Sequence, residues 1–254
     1  MSDVQWDYNL IQLDETASTN SYLKSLLSAH PDLPTWTVVS THNQSQGRGQ
    51  RGNSWESEPY QNITLTILLR PDKYDGFEPF DLNVFVSLSL CFLLQEIIPS
   101  SLIKIKWPND IYVGDKKIAG ILIENEWMSG GISASLIGIG LNVNQTLFVS
   151  DAPNPTSIAL ETQQPLQLAQ IQDRLLSLLQ QVYKKLPDEI LTLRHMYHEY
   201  LYRHDGYPHR YRASNGSEFD AVLISVTPSG LLCLKEEGKS EVSRYAFKEV
   251  SFVL

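Results

Sequence analysis

The texture of the chain changes once, and that change constrains the fold more than any other feature. Up to about residue 202, stretches with helical apolar spacing alternate with β-rich ones. Beyond Asp205-Gly206 the helical period is gone: residues 211–254 carry three hairpin signals, Asn215-Gly216, Ser229-Gly230 and Glu237-Gly238, between short β-rich runs. The pattern predicts an α+β domain with a small antiparallel β-barrel appended, divided into 1–206 and 207–254. A length of 254 residues suits that division, since a domain takes roughly 150 residues.

Within the larger unit, Ser18-Thr19-Asn20 precedes Tyr22, Leu23, Leu26 and Leu27 and reads as the cap of a short helix that Pro31 and Pro34 end. A strand is expected over 35–41. Residues 42–55 hold no apolar side chain before the final tryptophan, which makes them a loop. Ile63, Leu65, Ile67 and Leu69 then alternate with Thr64, Thr66 and Leu68, the signature of a half-buried strand, and Pro71 stops it. Residues 82–98 read as a buried helix. Three short β-rich runs are expected over 103–144, separated by turn signals at Pro108-Asn109-Asp110, Gly114-Asp115 and Gly130-Gly131. Ile171, Leu175, Leu178, Leu179, Val182 and Leu186 fall at helical spacing, and a second helical segment is expected over 188–202.

Subtracting 29 acidic from 20 basic residues leaves a net charge of −9, which argues against a nucleic-acid or anionic-membrane surface. The opening residues lack a basic segment followed by an apolar run. The most apolar stretch, 82–98, is interrupted by Asn83, Ser87, Ser89, Gln95 and Glu96, so neither a signal peptide nor a membrane span is expected. Cys91 and Cys233 sit in apolar surroundings and read as inert thiols of a reducing compartment. The expectation is a soluble cytoplasmic protein, as a monomer or homodimer, with no nucleic-acid or membrane partner.

Three constellations carry chemistry. Gln46-Gly47-Arg48-Gly49-Gln50-Arg51-Gly52-Asn53-Ser54-Trp55 is a polar loop whose glycines permit close backbone approach and whose guanidiniums suit an anion; a solvated turn is the bland alternative. Lys104, Lys106, Asp110, Lys116 and Lys117 flank short strands and could set cations on one pocket wall, although lysines at hairpin ends are commonly solvated. Gly138 and Gly140 interrupt the third, a β-branched run, which suits a ligand or a neighbouring backbone coming close, with simple strand-on-helix packing as the alternative. His195, His198 and His204 are spaced like possible metal ligands, yet no H-E-x-x-H pattern or cysteine partner accompanies them, and no G-x-S-x-G is present.

In order, S-T-N at 18–20, Q-S-Q-G-R-G-Q-R-G-N-S-W at 44–55, K-W-P-N-D at 106–110, K-K-I-A-G-I-L-I-E at 116–124 and G-I-G-L-N-V-N at 138–144 closely resemble biotin protein ligases. The resemblance runs from about residue 10 to 150. It implies the class II synthetase-like biotin/lipoate ligase catalytic fold, a central mixed β-sheet flanked by helices, with an SH3-like C-terminal barrel. It further implies a two-step reaction, in which biotin and MgATP give biotinoyl-5′-AMP and pyrophosphate, and a lysine of a biotin carboxyl carrier protein then displaces AMP.

Carried over by position, the resemblance assigns Ser18, Thr19, Asn20, Gln44, Gly47, Gly49, Gln50, Gly120 and Leu122 to biotin. Arg48 and Lys117 take the electrostatic catalytic role and touch both substrates. Arg51, Trp55, Asn109 and Asn142 belong to the adenylate, and Asp110 is the candidate magnesium ligand. Gln50 stands where several relatives carry a further arginine, which leaves retention of the adenylate to Arg48 and Arg51. The lack of apolar residues in the loop predicts that it moves without ligand and orders over the adenylate. Three rival readings stand against this one. A biotin-responsive repressor needs a helix-turn-helix that seventeen residues ahead of Ser18 cannot hold. A lipoate ligase or octanoyl transferase shares the fold but differs in the 47–55 loop, and a non-catalytic biotin-binding module would not need Arg48, Arg51 and Lys117 together.

Overall fold

The computed structural model describes residues 8–71, 76–98, 102–150 and 154–253; the opening seven residues and the Arg51 side chain, named above, lie outside that description. A seven-stranded mixed sheet forms the centre. Its strands are β1 (Asn9–Thr16), β2 (Thr37–Gln44), β3 (Asn62–Leu69), β4 (Ile103–Lys106), β5 (Asp110–Val113), β6 (Lys116–Met128) and β7 (Gly131–Asn142). They lie in the order β1-β2-β3-β7-β6-β5-β4. Only β1 and β2 run parallel; every other pair is antiparallel.

Helix α1 (Thr19–Ala29) covers one face, where Leu23 and Leu27 pack on Val39, Leu68, Ala134 and Leu136. The other face carries α2 (Asp81–Ile97) and α4 (Leu168–Tyr200), whose apolar stripes close the main core with strand residues such as Leu65, Ile67, Ile137 and Ile139. A five-residue helix, α3 (Ile158–Thr162), lies between β7 and α4. The two helical segments expected around Pro187 are both present, running together as Leu168–Tyr200 across a kink at Glu189, where φ is −117° and ψ 17°. Proline lacks the N–H and crowds the preceding turn, which is enough to bend a helix without ending it when the apolar stripe continues on both sides.

Three expectations change. The 103–144 region forms four strands instead of three runs, because each of its turn signals separates a strand pair. Strand β3 is buried on both faces, since its Thr64/Thr66 face lies beneath the polar site described below. The C-terminal unit is not a closed barrel. Its strands, β8 (Pro208–Ala213), β9 (Glu218–Val226), β10 (Leu232–Glu236), β11 (Ser243–Tyr245) and β12 (Val250–Phe252), form an open antiparallel sheet in the order β11-β10-β9-β8-β12, consistent with an SH3-like module. Among the described residues no ladder joins β11 to β12, each being three residues long.

This sheet packs on the helices of the larger unit. Tyr211, Leu223, Leu234 and Val250 belong to the same apolar cluster as Phe85 and Leu179. Trp107 Nε1 donates to Gly230 O at 2.9 Å. His198 Nε2 lies 2.9 Å from Val226 O and 3.2 Å from Val226 N, and His204 Nε2 lies 3.1 Å from Ile224 O, so two of the three clustered histidines brace the junction. His195 faces Glu199 on the exposed side of α4. Among the described residues no helix is long and apolar enough to cross a membrane.

Candidate active site

The site opens where glycines leave the centre of the sheet bare. Gly120 and Gly140 are cross-strand partners, and Gly138 shares their face by the two-residue period of a strand. A Cβ on Gly140 would lie 2.4 Å from Trp55 Cε2, and one on Gly138 would lie 2.3 Å from Asn20 Oδ1. The close approach expected of these glycines is therefore made by the protein's own side chains. In front of them is a cavity of about 330 Å³, polar at one end and cationic at the other.

At the polar end, the first turn of α1 sets Ser18, Thr19 and Asn20 over β2 and β3, all three buried. Thr19 N and Thr19 Oγ1 donate to Gln44 Oε1 at 3.0 and 3.3 Å. Thr66 Oγ1 lies 2.7 Å from Thr19 Oγ1 and 2.6 Å from Asn20 Oδ1. Asn20 Nδ2 donates to Glu124 Oε2 at 2.8 Å. Buried polar groups are kept only when hydrogen-bonded, and these satisfy one another in a connected chain.

The cationic end is built by a register shift. Asp110 pairs with Gly120 and Ile111 with Ala119, but Tyr112 pairs with Lys117, so Ile118 is an extra residue on β6. One extra residue reverses which face the following side chains present, and this brings Lys117 to the glycine face. Lys117 Nζ lies 2.7 Å from Asp110 Oδ1 and 5.6 Å from the centre of the Trp55 ring. Lys106, the cross-strand partner of Asp110, donates from Nζ to Tyr112 Oη at 2.9 Å. Burial lowers the Lys106 pKa to about 8, helped by the charges of Lys117 and Arg203 and opposed by Asp110. With two ammonium groups around its carboxylate, Asp110 does not fit a preformed dication site, and among the described residues there is no cluster of three or more His, Cys, Asp and Glu that could hold a metal.

The glycine-arginine loop is bonded to itself. Gly49 N donates to Asn53 O at 2.7 Å, and Trp55 N donates to Gly47 O at 2.9 Å. Trp55 seals the loop against the sheet, with its Nε1 buried and unpartnered. Arg48 is half-exposed. Its guanidinium reaches Glu124 Oε1 at 3.0 Å and donates to Ser21 Oγ at 3.1 Å.

Of the residues singled out from sequence, Ser18, Thr19, Asn20, Gln44, Arg48, Gly49, Gln50, Trp55, Asn109, Asp110, Lys117, Gly120 and Leu122 line this cavity. Gly47 lines the adjoining groove with Arg48 and Gly49. Asn142 does not line the cavity: it is buried at the end of the central strand β7, donating from Nδ2 to Thr156 O at 2.9 Å. Asn109 Nδ2 donates to Ile121 O at 2.6 Å and so ties the β4–β5 turn to β6.

Sequence reasoning missed several participants. Thr66 was visible only as one residue of an alternating strand, whereas Lys106 is among the lysines expected on a pocket wall and does line it. Glu124 closes its motif without any local sign that its partners are Asn20 and Arg48, 104 and 76 residues away. Phe247 and Phe252 of the C-terminal sheet line the cavity through tertiary packing alone.

The chain is 34% identical over 139 residues to the bifunctional ligase/repressor BirA of Bacillus spizizenii, a match covering 54% of this chain and 41% of that protein. It is 34% identical over 132 residues to the biotin–[acetyl-CoA-carboxylase] ligase of Paracoccus denitrificans, covering 52% of this chain and 53% of that protein. The matches thus span about half or less of those relatives' own length. Among solved structures, the biotin protein ligase of Aquifex aeolicus in complex with biotin and ATP superposes with a TM-score of 0.78 at 23% identity, covering 96% of this chain and 97% of that one, which shows a shared fold. Residues 13–144 match the model of the biotin/lipoate A/B protein ligase family, and the chain belongs to that family.

Proposed function

We propose that this protein is a biotin protein ligase that activates biotin with ATP and transfers it to a lysine of a biotin carboxyl carrier domain, that of acetyl-CoA carboxylase or another biotin-dependent carboxylase. The observation that carries the reading is one cavity with a buried hydrogen-bonding chain at one end, Gln44–Thr19–Thr66–Asn20, and two lysine ammonium groups at the other. The polar end suits a ureido ring, which offers both donors and acceptors. A dithiolane offers neither, and a site built for hydrogen bonds discriminates strongly against a ligand that cannot make them.

In the first step a carboxylate oxygen attacks the α-phosphorus of ATP, and the bond from that phosphorus to the pyrophosphate oxygen breaks. Both reactants are anions, so their repulsion must be offset before they can align. Lys117, held at 2.7 Å by Asp110, is the group placed to do this, with Lys106 on the neighbouring strand as a second cation and Arg48 as the loop's contribution. Magnesium would arrive on the nucleotide's phosphates, and no step is assigned to a protein-held ion. In the second step the amine of the carrier lysine attacks the acyl carbon, AMP departs with the electron pair of the broken C–O bond, and the nitrogen loses a proton. Arg51 is kept as an adenylate ligand on the resemblance alone, as is Asn142.

Trp55 rests on strand glycines and ends a loop self-bonded over a few residues, an arrangement that suits closure over the adenylate. Closure would keep water from the mixed anhydride. Residues 207–254 we regard as a module that walls the nucleotide end through Phe247 and Phe252. Two buried free thiols and a net charge of −9 favour a cytoplasmic enzyme, monomeric or homodimeric, without a nucleic-acid partner.

The test mixes protein, magnesium, ATP and a carrier domain with biotin or lipoate, and follows pyrophosphate and carrier mass. Pyrophosphate release and a biotin adduct are expected with biotin only. Lipoate in preference to biotin, or no product from folded protein, would overturn the proposal.

A further inference from the structure

Arg48 does not point at the cationic end of the cavity. It is held by Glu124, whose other carboxylate oxygen holds the Asn20 amide. A carboxylate only accepts, so Glu124, with a longer contact to Leu122 O at 3.4 Å beside it, fixes which way Asn20 faces: Nδ2 toward Glu124, Oδ1 toward Thr66 and the Gly138 backbone. The same side chain thus sets an amide at the polar end and restrains the loop's guanidinium.

We propose that Glu124 is a positioning residue that latches the glycine-arginine loop in the unliganded protein and withholds Arg48 from the nucleotide, while orienting Asn20 for the acyl substrate. This rests on the ligase reading above for the identity of the two ligands, but the latch itself is a property of the free protein. Nucleotide phosphate and Glu124 compete for one guanidinium. The pair is partly exposed, with side-chain exposures of 46% for Arg48 and 25% for Glu124. A surface-type pair of this kind is worth up to about 1 kcal/mol, which converts to no more than about a five-fold change in an equilibrium. The latch is therefore weak enough for substrate to open it.

Two substitutions separate the two functions. Glu124→Gln keeps an oxygen that can accept from Asn20 but loses the charge that holds Arg48; Glu124→Ala loses both. In Glu124→Gln, amide exchange and limited proteolysis of 45–55 should quicken without any ligand, and KM for ATP should fall about two- to five-fold while KM for biotin stays within about two-fold. In Glu124→Ala, KM for biotin should rise by about ten-fold or more. In an Arg48→Ala background, Glu124→Gln should leave KM for ATP where Arg48→Ala alone puts it. Unchanged exchange of 45–55 in ligand-free Glu124→Gln overturns the latch, whether or not the wild-type protein makes pyrophosphate; a wild-type protein without activity counts against the ligase reading instead. An equal rise of both KM values in Glu124→Gln also overturns it, because that is the behaviour of a residue that only maintains the fold.

Discussion

Gly140→Ala tests whether Trp55 and the sheet floor are in contact in the free protein. The added methyl would sit 2.4 Å from Trp55 Cε2, 2.6 Å from Cζ2 and 2.7 Å from Nε1. Carbon atoms in contact prefer about 3.5–4.0 Å, so the ring must retreat by roughly 1 Å. It has little room: Gly120 lies beneath the same ring, where a Cβ would be 3.0 Å from Cζ3. Overpacking of this kind costs about 1–3 kcal/mol, and in a chain of this size each kcal/mol lowers Tm by about 2–4 °C. Urea denaturation should therefore show Gly140→Ala less stable by about 1–3 kcal/mol in the wild-type background. In a Trp55→Ala background the methyl meets open space, and its cost should shrink to a few tenths of a kcal/mol. An equal cost in both backgrounds would refute the reasoning, since the clash would then lie with something other than Trp55.

Lys117→Ala should slow pyrophosphate release by about a hundred-fold or more while altering stability by under about 1 kcal/mol, because the Asp110 pair it breaks is partly exposed; single-turnover kinetics beside urea melts checks both, and wild-type adenylation would remove Lys117 from the chemistry. Lys106 loses its charge as pH rises through about 8, so activation should decline above that pH, and Lys106→Arg, which stays charged, should abolish the decline. The folded chain releases this proton below the ordinary lysine value of 10.5, so between about 8 and 10.5 the unfolded chain binds more protons. This group's contribution to stability therefore grows with pH across that window and is lost as pH falls through it, which urea melts of wild type against Lys106→Arg would show. Arg194→Ala removes the guanidinium that donates from Nε and Nη2 at 2.8 Å each to the wholly buried Asp81 carboxylate, which keeps the Glu78 backbone N–H at 2.8 Å but loses its counter-charge, and should cost about 3–5 kcal/mol by denaturation.

What could be read from sequence followed the range of the forces involved. Helix α1 and the 82–98 helix were legible because apolar spacing and flanking prolines are local signals. Strand β2 runs on through His42-Asn43-Gln44, polar residues assigned to the loop, because Glu15 and Thr16 of β1 pair with Asn43 and Gln44 through backbone groups that side-chain polarity does not report. The sheet floor was half legible: Gly138 and Gly140 announced a close approach, but not that Asn20 and Trp55 make it. Lys117 was named from its motif, yet nothing in Lys116-Lys117-Ile118-Ala119 locates the β-bulge at Ile118 that turns it to the site. Glu124 and the C-terminal phenylalanines act across the fold, and no window of sequence contains both halves of their contacts.

The bare floor has a consequence for how such a cavity can be retuned. Gly120, Gly138 and Gly140 offer peptide groups and no side chain to exchange, and Trp55 and Asn20 already rest on them, so a point change there can only add bulk. Selectivity must instead be adjusted around the margin, at 18–20, 44–55 and the two lysine-bearing strands. Engineering for altered acyl groups is best confined to those positions, with the glycines left untouched.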